Sequence, residues 1–215
     1  MLANERQVAA LVGLFKEGSK LTYKKGEFII RPGETPSHVY YIEEGLVKAF
    51  NISKYGEENL LIIRKSHEIF PLILTLTGEE KDIIYQALVP TSLWRVDQQK
   101  YLDYLRSHTT ALPPLLDMVT EMYRIHSQRI LNLEYRTVRE RLISFLLTMS
   151  ERFGNETEEG LSIDVPLRHQ DIASSINASR ETASRELGVL ERKGLISNQR
   201  ATIVLKDLEG LKSYL

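Results

Sequence analysis

The sequence predicts an α+β chain in three parts: an N-terminal β jelly roll, a long central helix and a C-terminal winged helix-turn-helix. Three observations predict it. Between Tyr23 and Asp97 short apolar runs alternate with glycine-containing turns, the spacing of a sandwich or jelly roll. Beyond Pro113-Pro114 apolar residues recur at four-three spacing, which makes a helix. From Arg168 to Ile196 two short amphipathic segments flank a turn, and a small hairpin follows.

The elements follow in order. Val8, Leu11, Val12 and Phe15 predict an amphipathic helix over 3–17 that ends at Gly18. Strands are expected at Phe28–Ile30, Val39–Ile42, Leu46–Phe50, Leu60–Ile63, Ile83–Val89 and Leu93–Val96, with turns at Arg31-Pro32-Gly33-Glu34 and Glu43-Glu44-Gly45. Asp97 can cap a helix through Leu105, and Pro113-Pro114 opens the next, which runs to about Asn132. This central helix carries two apolar stripes. Leu116, Val119, Tyr123, Ile130 and Leu133 form one, with His126 filling the gap; Leu115, Met118, Met122 and Ile125 form the other. Two stripes call for two partners, the β domain and a second copy of the chain, unless the helix is buried wholly within one chain. On the dimeric reading Leu116, Val119, Tyr123, His126 and Ile130 form the seam. Glu134 to Thr137 breaks the helix, Val138 to Phe153 makes another, and the acidic Gly154 to Gly160 is expected as a loop. Asp207 caps a last short helix. The domain expectation is 1–111 for the jelly roll, 112–136 for the central helix and 137–215 for the winged helix-turn-helix.

Ile172, Ala173 and Ile176 give the first helix of the C-terminal motif an apolar face, Asn177 tolerates the left-handed turn, and Ser179 is an N-cap that starts the second helix at Arg180. Ala183, Leu187 and Leu190 then share one side of that helix, and Arg180, Glu181, Ser184, Arg185 and Gly188 share the other. Gly194 stops the helix, and Leu195-Ile196 and Ile203-Val204-Leu205 flank a hairpin wing. The free face has the chemistry of a base reader. Arg forks onto guanine, Glu accepts from cytosine, and Ser reaches a base edge or phosphate. A solvated helix face with a Glu181–Arg185 pair is the plainer reading of the same residues. Ser179, Gln170, Arg168 and Arg200 stand where further DNA contacts would fall.

Net charge of −1 at pH 7 is low for a nucleic-acid binder until it is divided along the chain. Residues 112–164 hold 6 Lys+Arg against 9 Asp+Glu, whereas 165–206 hold 7 against 4, so the basic excess sits on the reader. There are no cysteines, which excludes disulfides and Cys-ligated zinc or iron–sulfur clusters. The five histidines, His38, His67, His108, His126 and His169, are scattered, and no closely spaced His/Glu pair marks a metal site. No basic leader with an apolar core opens the chain and no run nears roughly 18 apolar residues, so a soluble, cytoplasmic protein without membrane contact is expected. No nucleophile–base pair or phosphate loop points to an enzyme.

Lys25-Gly26-Glu27, Gly33, Tyr41-Ile42, Gly45 and Val47-Lys48 resemble the cyclic-nucleotide-binding jelly roll of the CRP/FNR family of transcription regulators, and Ser179-Arg180-Glu181-Thr182 with Ser184-Arg185 resembles its recognition helix. The resemblance spans nearly the whole chain. It implies a homodimer joined along the central helix, a pseudo-palindromic double-stranded DNA operator, and RNA polymerase as a further partner. Glu181, Ser184 and Arg185 match the FNR branch, while Arg180 is the additional arginine of the CRP branch. The sensor departs from the family. Nucleotide-binding members carry Gly-Glu for the ribose and Arg-Ser or Arg-Thr for the phosphate; Phe70-Pro71 and Lys81-Asp82 stand at those places. Tyr123 and Ser127 on the central helix complete the candidate pocket, Ser127 near a position that touches the base in the family. Cyclic AMP and cyclic GMP are therefore expected not to act, no cofactor is identified, and the jelly roll is left to an apolar or anionic ligand or to none. A sensor or regulatory subunit working through protein contacts stays open as the alternative function.

Overall fold

The computed structural model describes residues 2–79, 82–199 and 202–215. They form two compact units, one through Tyr123 and one from Arg124.

The first unit opens with α1 (Glu5–Lys16), where the Asn4 side chain accepts from the Gln7 amide and the Gln7 side chain accepts from that of Asn4. Strands β1 (Ser19–Tyr23), β2 (Phe28–Ile30), β3 (His38–Glu44), β4 (Leu46–Ile52), β5 (Glu58–Lys65) and β6 (Ile69–Phe70) follow. Next come α2 (Leu72–Thr77), β7 (Ile84–Ala87), β8 (Thr91–Asp97) and α3 (Gln98–Ser107). Two antiparallel four-stranded sheets result, in the orders β1-β8-β3-β6 and β2-β7-β4-β5. This is the expected jelly roll with three additions. Edge strand β1 has only Leu21 and Tyr23 half-buried among exposed polar residues, too faint an alternation to stand out. Strand β6 is two residues long, and α2 grows from Leu72–Thr77, a run of leucine, isoleucine and threonine whose composition does not separate helix from strand.

Inside the roll, Phe70 is fully buried and stacks on Tyr40 at 5.3 Å and on Tyr85 at 4.6 Å between ring centroids. Tyr40 belongs to the first sheet and Tyr85 to the second, so this three-ring stack joins them. The outer face of the first sheet presents Val39, Tyr41 and Val96 to Leu11, Leu14 and Phe15 of α1 and Tyr101 and Leu105 of α3. Asp97 caps α3, as expected, accepting from the Gln99 and Lys100 amides. The helix α4 (Leu112–Tyr135) then adds Leu115 to the same cluster, with Met118 and Met122 packed against it. Its other stripe stays in solvent: Tyr123 is 73% exposed, Ile130 63% and Leu116 51%.

In the second unit α5 (Val138–Phe153) begins on a capping box between Thr137 and Glu140. The acidic segment expected as a loop is instead a hairpin of β9 (Gly154–Thr157) and β10 (Gly160–Ile163). β9 has no large apolar residue, so no hydrophobic alternation announces it. Helices α6 (His169–Ser175) and α7 (Arg180–Arg192), strands β11 (Ile196–Gln199) and β12 (Thr202–Leu205), and the Asp207-capped α8 (Leu208–Lys212) complete the unit. The wing is thus part of a four-stranded sheet, β11-β12-β10-β9. Leu142, Leu146, Ile172, Ala183, Leu187 and Leu190 are buried in this unit.

Truncating the ring at the middle of the stack should show what it contributes. Phe70→Ala is expected to lower unfolding free energy by about 3–5 kcal/mol, read from the urea midpoint of the full chain by circular dichroism.

Candidate nucleic-acid interface

The reading head is built by local chemistry that the sequence carries openly. Asn177 sits at φ 48 between the two helices, and Gly194 at φ 74 ends the second. Ser179 caps α7 by accepting from the Thr182 amide at 3.1 Å. Helical spacing then does the rest: Ala183, Leu187 and Leu190 are buried, while Arg180, Glu181, Ser184 and Arg185 are exposed together. Arg185 does not make the Glu181 pair of the plainer reading; its Nε lies 3.5 Å from Oε1 of Glu186, and its side chain remains 68% exposed. Gln170 is exposed in the first turn of α6 and Ser179 at the start of α7. Arg168 is the N-cap of α6, where its Nε and Nη2 fork onto the buried Asp171 at 3.0 and 2.9 Å and the Asp171 carboxylate returns to the Arg168 amide. Arg200, the remaining candidate for a DNA contact, lies outside the described residues. Lys193, at the end of α7, donates to the Tyr214 hydroxyl at 2.6 Å.

Several supporting side chains escaped the sequence reading. Arg141 of α5 donates Nε to the Ile176 carbonyl at 2.8 Å, Nη2 to the Asn177 carbonyl at 3.2 Å, and Nη1 to the Arg136 carbonyl at 3.1 Å. Arg129 of α4 donates to the Ser174 carbonyl at 3.2 Å. Carbonyls at the end of α6 lie outside the helical ladder and need donors; two guanidinium groups supply them. Glu186, buried on the packed side of α7, accepts from Arg139 of α5 at 2.7 Å. On the other side of the motif, Asn198 donates its amide to Glu191, tying the wing to α7. The one local signal for Arg139 and Arg141 is their place at the start of α5, where a basic residue opposes the helix dipole and has reason to be engaged elsewhere.

The sensor candidates differ in burial. Phe70 is buried in the ring stack, Asp82 is exposed, and Lys81 lies outside the described residues. Tyr123 is exposed on α4 and Ser127, one turn later, is half-buried. A cavity of about 20 Å³, room for about one water, lies in the jelly roll, lined by Ile30, Pro71, Ile83 and Tyr85 among others, with Glu34 as a charged member. Of the seam candidates, Leu116, Val119, Tyr123 and Ile130 are exposed and His126 is half-buried. Among the described residues no group of three or more His, Asp and Glu is placed to hold a metal ion, and no helix is long and apolar enough to cross a membrane.

Comparison with known proteins decides the family. Residues 140–214 match the Crp-like helix-turn-helix domain and residues 20–108 the cyclic nucleotide-binding domain. The global nitrogen regulator of Synechococcus elongatus is 30% identical over 221 residues, covering 95% of each chain. The chain belongs to the CRP/FNR family. Another CRP/FNR relative, the transcriptional activator protein FnrA of Stutzerimonas stutzeri, is 27% identical across 97% of this chain and 84% of its own. Among solved structures, a CooA variant from Carboxydothermus hydrogenoformans superposes with a TM-score of 0.80 at 20% identity, covering 100% of this chain and 97% of that one. FixK2 from Bradyrhizobium japonicum gives 0.78 at 22%, with 91% and 96% covered. The winged helix-turn-helix, the cyclic-nucleotide-binding-like jelly roll and the long helix of this chain are those of a CRP/FNR-type DNA-binding transcription regulator.

The carbonyl clamp carries a prediction of its own. Arg141→Ala should cost roughly 2–3 kcal/mol of unfolding free energy, measured by urea denaturation, and Arg141→Lys should fall between, because an ammonium cannot fork across separate carbonyls.

Proposed function

We propose that this regulator acts as a homodimer on a pseudo-palindromic operator, reading each half-site with Arg180, Glu181, Ser184 and Arg185. The observation that carries this is the reading face itself: four polar side chains exposed together on a helix whose opposite side is fully packed. Ser179 and Gln170, at the starts of α7 and α6, support it with contacts to the DNA backbone. Arg200, between β11 and β12 in the sequence, adds a phosphate contact. Arg168 does the same only with what its fork on Asp171 leaves over.

The dimer reading is supported by the uncovered stripe of α4. Leu116, Val119, Tyr123 and Ile130, with His126 between, recur at four-three spacing, and such a line of exposed apolar side chains calls for a partner. A second α4 has the same line, and two-fold pairing buries both. The domain division that follows is a sensor over 1–111, a dimerisation helix over 112–136 and a DNA-binding domain over 137–215. The protein carries out no catalysis of its own, works in the cytoplasm, and engages RNA polymerase as its relatives' role in transcription implies.

Cyclic AMP is not its effector on this reading. Phe70 fills the interior between Tyr40 and Tyr85, and neither Pro71 nor Asp82 offers the groups that a ribose and a cyclic phosphate need.

Selection of bound sequences from random DNA tests the function and supplies the site together. The selected site should be a pseudo-palindrome with half-site centres roughly 34 Å apart. On it Arg180→Ala or Arg185→Ala should cost about 1–3 kcal/mol per half-site and relax preference for one base pair; equal loss on every sequence would refute the assignment. The seam has a separate test. Val119→Glu with Tyr123→Glu should give a folded monomer by light scattering that no longer binds the full site, and a monomer that binds like the parent would overturn the dimer.

A further inference from the structure

Of the histidines in the chain, His169 alone lies beyond residue 137, inside the helix-turn-helix unit. It is the first residue of α6, after the N-cap Arg168 and before the exposed Gln170. Its imidazole is half-buried, with Nε2 at 3.4 Å from Nδ2 of Asn198 on β11. That contact joins the first helix of the motif to the wing. A side-chain amide nitrogen only donates, so Nε2 accepts and carries no proton in this arrangement. The bond is long, near the outer limit of a hydrogen bond, and little is lost in giving it up.

The charged groups at this corner are already engaged. Arg168, beside it in the chain, forks Nε and Nη2 onto the buried Asp171 at 3.0 and 2.9 Å. On the wing side Asn198 is neutral, and Glu191 of α7 accepts the Asn198 amide at 3.1 Å. A cation on His169 therefore has most to gain from an anion brought from outside. In a helix-turn-helix the first helix crosses the DNA backbone while the second enters the major groove, so the start of α6 is where phosphate passes. Residues 165–206 hold 7 Lys+Arg against 4 Asp+Glu, and against so small an excess one added cation per copy is a large change.

We propose that His169 is a titrating contact to the DNA backbone: on the operator its imidazole gives up Asn198, takes a proton from solvent and donates Nε2–H to a phosphate oxygen. This rests on the reading of the chain as a DNA-binding regulator and adds to it a dependence on pH. An imidazole is the side chain whose ordinary charge change falls between about pH 5 and 8. A phosphate oxygen favours the charged form, so the complex holds the proton to a higher pH than the free protein does. Operator binding therefore takes up protons. It is tightest below the range in which the free imidazole titrates and weakens as pH rises through the range of the complex. Two copies on a pseudo-palindromic site double the effect. A lysine or arginine at the start of α6 would grip phosphate at every physiological pH, whereas a histidine makes the grip conditional.

The test is fluorescence anisotropy of the full chain on the selected operator, between about pH 8 and about pH 6 and over a series of salt concentrations. The dissociation constant should fall about tenfold or more towards the lower pH. The slope of log affinity against log salt should steepen there by about 0.9 per half-site, the mark of one more neutralised phosphate. His169→Gln keeps a hydrogen-bonding group for Asn198 but takes no charge, and should lose both changes. His169→Arg should flatten the profile and show the steep salt slope at both ends. An affinity that does not change with pH, or a pH dependence that His169→Gln retains, overturns the proposal. So does a gain at low pH with an unchanged salt slope, which marks a residue that only positions the wing. If His169→Gln does not fold, His169→Arg decides, and a profile as steep as the parent's overturns the contact. Absence of sequence-specific binding at every pH refutes the regulator reading itself, whereas specific binding that ignores pH leaves that reading standing and removes His169 from it.

Discussion

A recognition helix is placed only as well as the turn that precedes it, and here that turn is held by guanidinium groups. The left-handed Asn177 turns the chain between α6 and α7, which leaves the carbonyls of Ile176 and Asn177 outside any helical ladder. Arg141 takes both, and with its remaining donor takes the Arg136 carbonyl at the break between α4 and α5. One planar group thus serves carbonyls at two breaks between helices at once. Arg129 adds the Ser174 carbonyl from α4, and Arg139 holds Glu186 on the packed side of α7. The end of α4, the start of α5 and the reading head form one hydrogen-bonded body, in which the exposed face of α7 has little freedom to tilt.

The long helix α4 answers two demands with two stripes. Leu115, Met118 and Met122 complete the cluster that α1 and α3 build on the first sheet. The neighbouring stripe through Leu116, Tyr123 and Ile130 has no such cover in a single chain. Apolar side chains in that number along one line would be an aggregation liability on a monomer, and they become an asset when an identical line meets them.

The interior of the jelly roll is filled by Phe70, whose ring completes a stack across both sheets. Filling the interior with aromatic surface strengthens the domain, and a cavity of about 20 Å³ lies beside Tyr85. In that apolar setting Arg64 is an exception, a buried guanidinium paired with Glu68 at 3.4 Å.

Local chemistry determined much of this protein from sequence alone. Period-two runs between glycine turns gave away most of the strands, and Ser179, Asn177 and Gly194 placed both ends of the recognition helix because caps and left-handed turns depend on the residues themselves. The reading face followed from helical spacing. Sequence failed where an element has no apolar pattern of its own, as in β1 and β9, which exist because a neighbouring strand offers backbone partners. It failed too where a side chain's partner is remote along the chain. Arg141 meets Ile176 across 35 residues and Arg64 meets Met122 across 58. In the sequence Arg64 is only the polar end of an apolar strand. Tertiary structure alone decided that it is buried and which atoms its donors meet, because hydrogen bonding of a buried group depends on which distant atoms the fold brings within about 3 Å.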